Sequence, residues 1–327
     1  MTPLGFGLIG GGKHGVRYAH HLVHDLPDAR LVALARRDLA AAREQARAFG
    51  CRAYGDYREL LADRDVEAVV VVVPPTLHGP IVAVAAAQGR PVLLEKPAAT
   101  SLAEGRRMLE IVRAAGIPLM VAQTLRYSSV VRCLLAAGAR LGPIHALCLT
   151  QRFEPSRPGW ADDPVVAGGG VTLHTGVHSF DLLRVLSGLE AQHVSCEMGR
   201  VNTTRTEDNF SAVIRMEGAG GLATVAGSRA TAGRCGAIEI AGEHGQLIAD
   251  HVFNTVAFVR GTVVTPLPVA PAVPTVREVL RTFSATLRAG RPMPVSLEDG
   301  LRAVAIVDAC YRSARSGRAE AVETLRS

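Results

Sequence analysis

The segment LGFGLIGGGKHG, residues 4–15, decides the fold of this chain. Its first six residues form an apolar run that predicts a strand, and residues 13–24 have the pattern of a helix. Three glycines with the spacing G-x-G-x-x-G lie between them, where glycine permits a tight turn and lets backbone amides approach a pyrophosphate. The segment therefore predicts a dinucleotide-binding βαβ unit, and the alternative is merely a glycine-rich turn. The glycines are Gly10, Gly12 and Gly15.

The same alternation of short apolar runs and helical patterns continues to residue 122. It predicts a doubly wound parallel sheet of the Rossmann type. The run at residues 66–73 is rich in valine, as expected of a strand that is buried on both faces. The predicted strands are residues 4–9, 31–35, 66–73, 91–95 and 117–123. The predicted helices are residues 13–24, 38–49, 76–88 and 102–115.

The pattern changes after residue 122, where strand-like runs are separated by hairpin-length turns. Neighbouring strands are therefore expected to be antiparallel. We predict an α/β chain with two domains, residues 1–122 and 123–327, and expect the last helix to pack back near the first domain. The predicted strands of the second domain are residues 144–153, 193–201, 210–216, 221–228, 237–241, 246–249 and 256–259. Its predicted helices are residues 129–139, 174–186, 276–289 and 297–316.

Composition excludes several classes of protein. The net charge is +6, but the arginines are scattered among acids and aromatic residues make up only 4% of the chain, so no nucleic-acid partner is expected. No apolar stretch reaches the ~20 residues that span a bilayer, and the first residues do not resemble a signal peptide. The six cysteines form no C-x-x-C pair. We expect a cytoplasmic protein with reduced thiols.

The end of the second predicted strand indicates which dinucleotide is bound. An acid about 20 residues after the glycines holds the ribose 2′-hydroxyl of NAD, whereas arginine suits the 2′-phosphate of NADP. Arg36 stands at this place and Arg37 follows it, which favours NADP. Asp38 is either a displaced ribose ligand or, as we prefer, the cap of the next helix. The two arginines are otherwise ordinary surface residues.

Two further motifs lie at the carboxyl ends of predicted strands, where doubly wound folds bind their ligands. The turn Pro74-Pro-Thr76-Leu-His78 places an imidazole there, either beside the nicotinamide or as a helix residue without a role. Glu95-Lys96-Pro97 supplies one of only two lysines in the chain. Its ammonium can polarise a carbonyl or relay a proton; the alternative is a surface ion pair. The residues expected to contact the cofactor are Gly10, Gly12, Lys13, His14, Gly15, Arg36, Arg37, Pro74, Thr76, His78, Glu95 and Lys96.

A third motif follows Gly168-Gly-Gly170. On a helix, His174, His178 and Asp181 lie on one face. Two histidines at this spacing can hold zinc, but no cysteine or acidic cluster accompanies them, so no metal is expected. An acid–base pair beside a redox site is favoured. The alternative is that one histidine is functional and the other is a core residue whose ring is hydrogen-bonded within the fold.

Taken together, these motifs resemble the glucose–fructose oxidoreductase and inositol dehydrogenase family, Gfo/Idh/MocA. The resemblance covers nearly the whole chain, from the glycine segment through Glu95-Lys96-Pro97 and Gly176-x-His178-x-x-Asp181 to residues 309–314. It implies a Rossmann domain and a second domain with an open sheet, whose exposed face mediates homodimers or homotetramers. It also implies NAD(P)-dependent redox chemistry on sugars, cyclitols or related compounds.

By this resemblance, Lys96 and His178 match the catalytic lysine and histidine of the family. The family usually has aspartate four residues before that histidine, where this chain has His174. A neutral imidazole can still bind a substrate hydroxyl but supplies no permanent negative charge. The expected catalytic residues are Lys96, His178 and His174. The resemblance also implies substrate contacts at Gln123, Arg126, Tyr127, Arg152, Trp160 and His174.

We therefore expect an enzyme that moves hydride between NADP(H) and a secondary alcohol or ketone of a sugar-like substrate. Two alternatives remain at this point. One is a non-catalytic dinucleotide-binding regulator, for which the altered His174 is the best support. The other is an NAD-dependent glycosidase of the same fold, in which oxidation is transient.

Overall fold

The computed structural model describes residues 2–155, 159–218 and 221–325. The chain forms two compact units. The first contains the chain up to Ala99 together with Ala103–Thr124 and Pro274–Leu301, and the second contains Thr100–Leu102, Leu125–Val273 and the chain from Arg302. Residues 274–301 thus belong to the first unit, whereas the sequence predicted them in the second.

The first unit is built on a six-stranded parallel sheet, as predicted. The strand order is β3-β2-β1-β4-β5-β6, so the direction of winding reverses between β1 and β4. The carboxyl ends of these two central strands are adjacent, and a cofactor binds at this position in doubly wound sheets. The strands are β1 (Leu4–Ile9), β2 (Ala29–Ala35), β3 (Arg52–Tyr54), β4 (Ala68–Val71), β5 (Val92–Glu95) and β6 (Leu119–Ala122).

Helices cover this sheet, and their ends follow from local sequence. Asp38 caps α2 by accepting a hydrogen bond from the amide of Ala41 (3.1 Å), and Gly50 ends the helix with φ of 67°. Phe283 of α9 packs on Phe6 of β1, with ring centroids 6.1 Å apart, which explains why this late helix belongs to the first unit. The helices are α1 (Lys13–His24), α2 (Leu39–Phe49), α3 (Tyr57–Ala62), α4 (His78–Ala87), α5 (Leu102–Ala115) and α9 (Thr275–Arg288).

The second unit is built on a nine-stranded sheet in the order β14-β13-β12-β11-β7-β10-β9-β8-β15. Among the strands that the structure describes, only β7 and β10 pair in parallel, so the prediction of a mostly antiparallel sheet is confirmed. The strands are β7 (Ile144–Arg152), β8 (Ala191–Gly199), β9 (Asn209–Met216), β10 (Leu222–Ser228), β11 (Cys235–Gly242), β12 (Gly245–Asp250), β13 (Thr255–Arg260), β14 (Val263–Pro266) and β15 (Glu320–Ala321).

One face of this sheet is buried. A row of paired residues crosses six strands and every member is buried, which places the core of the unit on this face. The row is Ala212, Val225, Leu149, Ile238, Ala249 and Val256. The helices of the unit are α6 (Ser129–Ala137), α7 (Pro164–Ala167), α8 (Val177–Ser187) and α10 (Leu297–Ser316) from Arg302 onward.

Short elements account for the differences from the predicted pattern. No sequence pattern predicted β3, α3, α7, β14 or β15, which have two to six residues each. The helix predicted at residues 76–88 begins with a 3₁₀ turn at Pro75–Leu77 before α4. Within the described ranges, no helix combines the length and the apolar character needed to cross a membrane.

Candidate active site

The glycine segment of the first unit has the shape of a phosphate cradle. Gly10 has φ of 107°, and a Cβ atom there would lie 2.0 Å from the carbonyl oxygen of Val72. A Cβ atom at Gly15 would lie 1.9 Å from the carbonyl oxygen of Gly10. Gly12 begins α1 without a side-chain cap, and its Cβ position has nothing within 4 Å. Open space at an uncapped helix N-terminus suits a pyrophosphate.

Arg36 lies beside this cradle. A Cβ atom at Gly11 would meet the Cδ atom of Arg36 at 2.6 Å, and Gln45 donates a hydrogen bond to the carbonyl of Gly11 (2.8 Å). Asp38 caps α2, as the sequence indicated, so its carboxylate is engaged at the helix start. Among the described residues, neither Arg36 nor Arg37 has an ion-pair partner. Two uncompensated guanidinium groups thus follow the end of β2.

Glu95 links the glycine segment to the end of β5. Its carboxylate is buried, and Oε1 accepts hydrogen bonds from Nε2 of His14 (2.7 Å) and from the hydroxyl of Tyr18 (2.6 Å). Oε2 accepts from the backbone amide of Lys96 (2.9 Å). The carboxylate of Glu95 therefore connects the first turn of α1 with Lys96, which is expected to be catalytic.

The charge of this carboxylate is maintained despite its burial. Burial raises the pKa of Glu95, but the hydrogen bond and charge of His14, the charge of Lys96 and the hydrogen bond from Tyr18 outweigh it and bring the pKa to about 2. Burial and the neighbouring Glu95 raise the pKa of Tyr18 well above its usual value. Glu95 is therefore an anion and Tyr18 a neutral donor at physiological pH.

Lys96 is half-buried directly after β5, at the carboxyl edge of the sheet. His78 is fully buried, with Nε2 3.2 Å from the carbonyl oxygen of Val73 and Nδ1 3.4 Å from that of Ala98. Burial lowers the pKa of His78, so the ring is neutral and donates to one carbonyl at a time. A buried ring does not reach a nicotinamide, and His78 instead holds together the loops that follow β4 and β5.

The turn before His78 has two further residues from the prediction. Pro74 precedes the 3₁₀ turn and Thr76 lies within it, and both are half-buried. Both residues follow β4, the strand that pairs with β1. They therefore lie in the part of the sheet where the cofactor is expected.

In the second unit, Gly168-Gly-Gly170 leads into a π turn at Thr172–Gly176 rather than directly into an α-helix. Glu207 accepts hydrogen bonds from the amides of Gly170 (3.1 Å) and Thr172 (3.0 Å) and from the hydroxyl of Tyr311 (2.8 Å). A Cβ atom at Gly170 would lie 2.0 Å from the carbonyl oxygen of Glu207. π turns are frequent at functional sites.

His174 lies in the π turn and His178 in the first turn of α8, so the uniform helical spacing that the sequence predicted does not hold. Both side chains are half-buried. Nε2 of His174 donates to the carbonyl of Ala167 (3.0 Å). The ring of Trp160 meets the ring of His174 edge-on, with centroids 5.8 Å apart. Two of the predicted substrate contacts are thus brought together.

The segment that carries Trp160 is held by Asp162. This carboxylate accepts hydrogen bonds from the amides of Thr204, Arg205 and Thr206 at 2.9–3.0 Å, and from the hydroxyls of Thr204 and Thr206. These hydrogen bonds, above all the one from the amide of Thr206, hold the pKa of Asp162 well below its usual range. Residues 156–158, which precede Trp160, lie outside the described residues.

Other predicted substrate contacts have different positions. The guanidinium of Arg126 donates two hydrogen bonds to the buried carboxylate of Asp181 (2.7 and 2.5 Å). This bidentate ion pair restrains the guanidinium. Tyr127 is buried next to it, and Gln123 is buried just after β6 in the first unit. The contacts of these three residues with a substrate stay predictions.

Arg152 and its neighbour Gln151 lie on opposite faces of β7. Gln151 is buried and donates to the hydroxyl of Ser179 on α8 (2.9 Å). Because side chains alternate along a strand, Arg152 lies on the opposite, exposed face of β7. Its predicted contact with a substrate stays a prediction.

The sequence did not single out Tyr18 or Glu207. Tyr18 lies one turn after His14 on α1, and this helical spacing was the only available signal. Glu207 lies 37 residues from Gly170, and nothing in the local sequence indicates that the two meet.

Comparisons with known proteins agree with this architecture. The family model described as an oxidoreductase family with an NAD-binding Rossmann fold matches residues 4–123, and the model of the GFO/IDH/MocA C-terminal domain matches residues 130–248. Myo-inositol 2-dehydrogenase of Thermotoga maritima is 29% identical over 97% of this chain and 98% of its own length. Inositol 2-dehydrogenase of Rhizobium meliloti is 30% identical over 96% of this chain and 97% of its own.

Solved structures have the same fold. Levoglucosan dehydrogenase, in complex with NADH and L-sorbose, has a TM-score of 0.89 and 24% identity, covering 99% of this chain and 100% of that one. At this identity the likeness shows the fold alone.

Proposed function

This chain belongs to the Gfo/Idh/MocA oxidoreductase family, and from that membership we propose that Lys96 and His178 catalyse NADP(H)-dependent interconversion of a secondary alcohol and a ketone. The substrate class is sugars, cyclitols and related polyols, which are the substrates in the names of the relatives. One observation carries the assignment of Lys96. Through Glu95, the residue is fixed to the same helix turn that begins the phosphate cradle.

The cradle fits a dinucleotide. The amides at the start of α1 would bind the pyrophosphate, with Lys13 and His14 of the first turn beside it. Arg36 and Arg37 would bind the adenosine end, and their uncompensated charges support NADP over NAD. The bound dinucleotide supplies the hydride acceptor or donor.

The protein's own part in the reaction is to orient the substrate oxygen and to move a proton. When the alcohol is oxidised, its hydroxyl proton must leave, and the ammonium of Lys96 orients that oxygen while His178 accepts the proton. In the reverse direction the same groups polarise the carbonyl and return the proton. Glu95 holds the backbone of Lys96 but does not touch the reacting atoms.

His174 replaces the aspartate that is usual in the family, so the site has one fewer anion. Because Nε2 donates to the carbonyl of Ala167, the ring is held in one orientation beside Trp160. We propose that this pair forms a polar and an aromatic wall for the substrate. A sugar ring presents hydroxyl edges and C–H faces that suit such a pair.

The proposal also includes the oligomeric state of the protein and its location in the cell. The exposed face of the nine-stranded sheet would join copies of the chain into a dimer or tetramer. A cytoplasmic location is supported by the six cysteines, all of which are free thiols.

The direct test is a panel of inositols, aldoses and ketoses assayed with NADP⁺, NADPH, NAD⁺ and NADH. The proposal expects a change of cofactor absorbance with at least one polyol and a higher kcat/KM with the phosphorylated cofactor. Cofactor binding without turnover of any member of the panel would favour a regulator instead.

A further inference from the structure

A second group of chemically active side chains lies at the end of α1 that is remote from the glycine cradle. The helix closes with the sequence His20-His-Leu-Val-His24-Asp25. At 1.5 Å per residue, this twelve-residue helix is about 18 Å long, so the group is separate from the cofactor site. One ligand atom from each of His20, His21 and Asp25 lies within 4.8 Å of the other two. Within the described ranges, this is the only such group.

Helical spacing brings these side chains together. His21 and Asp25 are four residues apart, and Nδ1 of His21 lies 2.5 Å from a carboxylate oxygen of Asp25. His20 and His24 are also four residues apart, with ring centroids 4.8 Å apart. The group therefore offers two imidazoles and one carboxylate, with a third imidazole adjacent.

A metal ion fits this geometry with small side-chain rotations. In a tetrahedral site with ligands at about 2.0–2.1 Å, neighbouring ligand atoms are roughly 3.4 Å apart. The atoms of His21 and Asp25 would move apart by less than about 1 Å, and the ion would replace the proton that they now share. His20, Asp25 and His24 are exposed, so the entry path is open.

Electrostatics also favours a cation here. The C-terminal end of a helix has a partial negative charge, which stabilises cations and disfavours a lone carboxylate such as Asp25. Asp25 is exposed and one of its carboxylate oxygens already faces Nδ1 of His21, so it is positioned to coordinate. The opposing charge is that of Arg277 on α9, which is paired with Glu278 (3.3 Å).

We propose that His20, His21 and Asp25 bind one divalent ion of the Zn²⁺ type, with His24 or water completing its coordination. Imidazole nitrogen with one carboxylate suits Zn²⁺, Ni²⁺ and Cu²⁺, whereas Mg²⁺ and Ca²⁺ prefer oxygen ligands alone. The ion would fix the last turn of the helix whose first turn forms the cofactor cradle.

The test is calorimetric titration of the full chain, free of any polyhistidine tag, with Zn²⁺ alone and with Mg²⁺ as comparison. The double variant H20N/H21N removes two ligands, and D25N removes the carboxylate. The matched control H145N/H193N removes two exposed imidazoles elsewhere. Melting temperature with and without Zn²⁺ provides a second readout.

The proposal expects one Zn²⁺ site in the wild type and the control, weakened about tenfold or more in D25N and lost in H20N/H21N. It also expects Zn²⁺ to raise the melting temperature of the wild type but not of H20N/H21N. Equal Zn²⁺ stoichiometry and affinity in the wild type and H20N/H21N would overturn it, as would no binding to the wild type. If H20N/H21N fails to fold, D25N decides between these results.

Discussion

At the scale of single residues, Glu95 connects several parts of the proposed machinery. Its carboxylate is 5% exposed and accepts hydrogen bonds from His14, Tyr18 and the amide of Lys96. We predict that Glu95→Gln destabilises the fold by about 2 kcal/mol, since it weakens hydrogen bonds to a charged, buried acceptor. Urea denaturation measures this, and the exposed carboxylate Glu110 provides the control variant Glu110→Gln. Equal unfolding midpoints for the two variants would contradict the role of Glu95.

The lowered pKa of Glu95 also predicts a pH dependence. Its pKa falls from the usual 4.5 to about 2 on folding, so the ionised form stabilises the native state fully above about pH 4.5. That contribution is lost as pH falls toward 2. Stability should therefore fall less steeply between these values in Glu95→Gln than in the wild type. Identical acid-denaturation profiles would argue against an ionised Glu95.

Arg36 is predicted to set the preference for the phosphorylated cofactor. Its side chain lies against Gly11 and has no ion-pair partner among the residues that the structure describes. We expect Arg36→Glu to raise the KM for NADP⁺ by about tenfold or more, because a charge-assisted hydrogen bond to phosphate is lost and a repulsion is added. The exposed Arg43 on α2 gives the control Arg43→Glu. A wild type that binds NAD⁺ and NADP⁺ equally would refute the assignment.

Among the elements, the segment around Trp160 is predicted to depend on Asp162. Trp160 is the only tryptophan in the chain, so intrinsic fluorescence reports on it directly. Asp162→Ala removes the acceptor for three amides, and we expect a red-shifted emission and faster quenching by acrylamide. Glu243→Ala, at an exposed carboxylate that has no hydrogen-bond partner among the described residues, should leave both unchanged. Unaltered emission in Asp162→Ala would show that other contacts hold the segment.

The elements also show which parts of the fold and of the site could be predicted from the sequence. The bounds of β1, α1 and α5 follow from apolar periodicity and from the glycine segment, and the structure has them as predicted. The π turn was missed because a single inserted residue leaves the apolar pattern of His174–His178 almost unchanged. The contact of Glu95 with His14 joins residues 81 positions apart, which no local pattern encodes. The burial of His78 was not predicted because the carbonyls that it contacts, those of Val73 and Ala98, belong to two separate loops. The exposed position of Arg152 was not predicted because the sequence does not tell which face of the sheet the last residue of a strand occupies.

For the whole molecule, the exposed face of the nine-stranded sheet is predicted to be an interface. Val213 and Ile248 are 52% and 42% exposed on this face, and the paired residues between them are Thr224, Cys148 and Glu239. The double variant Val213→Glu/Ile248→Glu should be monomeric, because charge buried in an interface opposes association. Sedimentation velocity measures the oligomeric state. Val201→Glu, at a 70% exposed loop position, is the control. A monomeric wild type would contradict this prediction.

The central proposal is that Lys96 and His178 act in one reaction. The most direct measurement is a kinetic cycle of Lys96→Met, His178→Asn and the double variant, with single-turnover rates on a polyol found active in the panel. Residues that act as a unit are strongly non-additive. The account predicts that each single variant loses at least about a hundredfold and that the double variant is no slower than the slower single one. Losses that multiply in the double variant, or near wild-type rates in Lys96→Met, would contradict it.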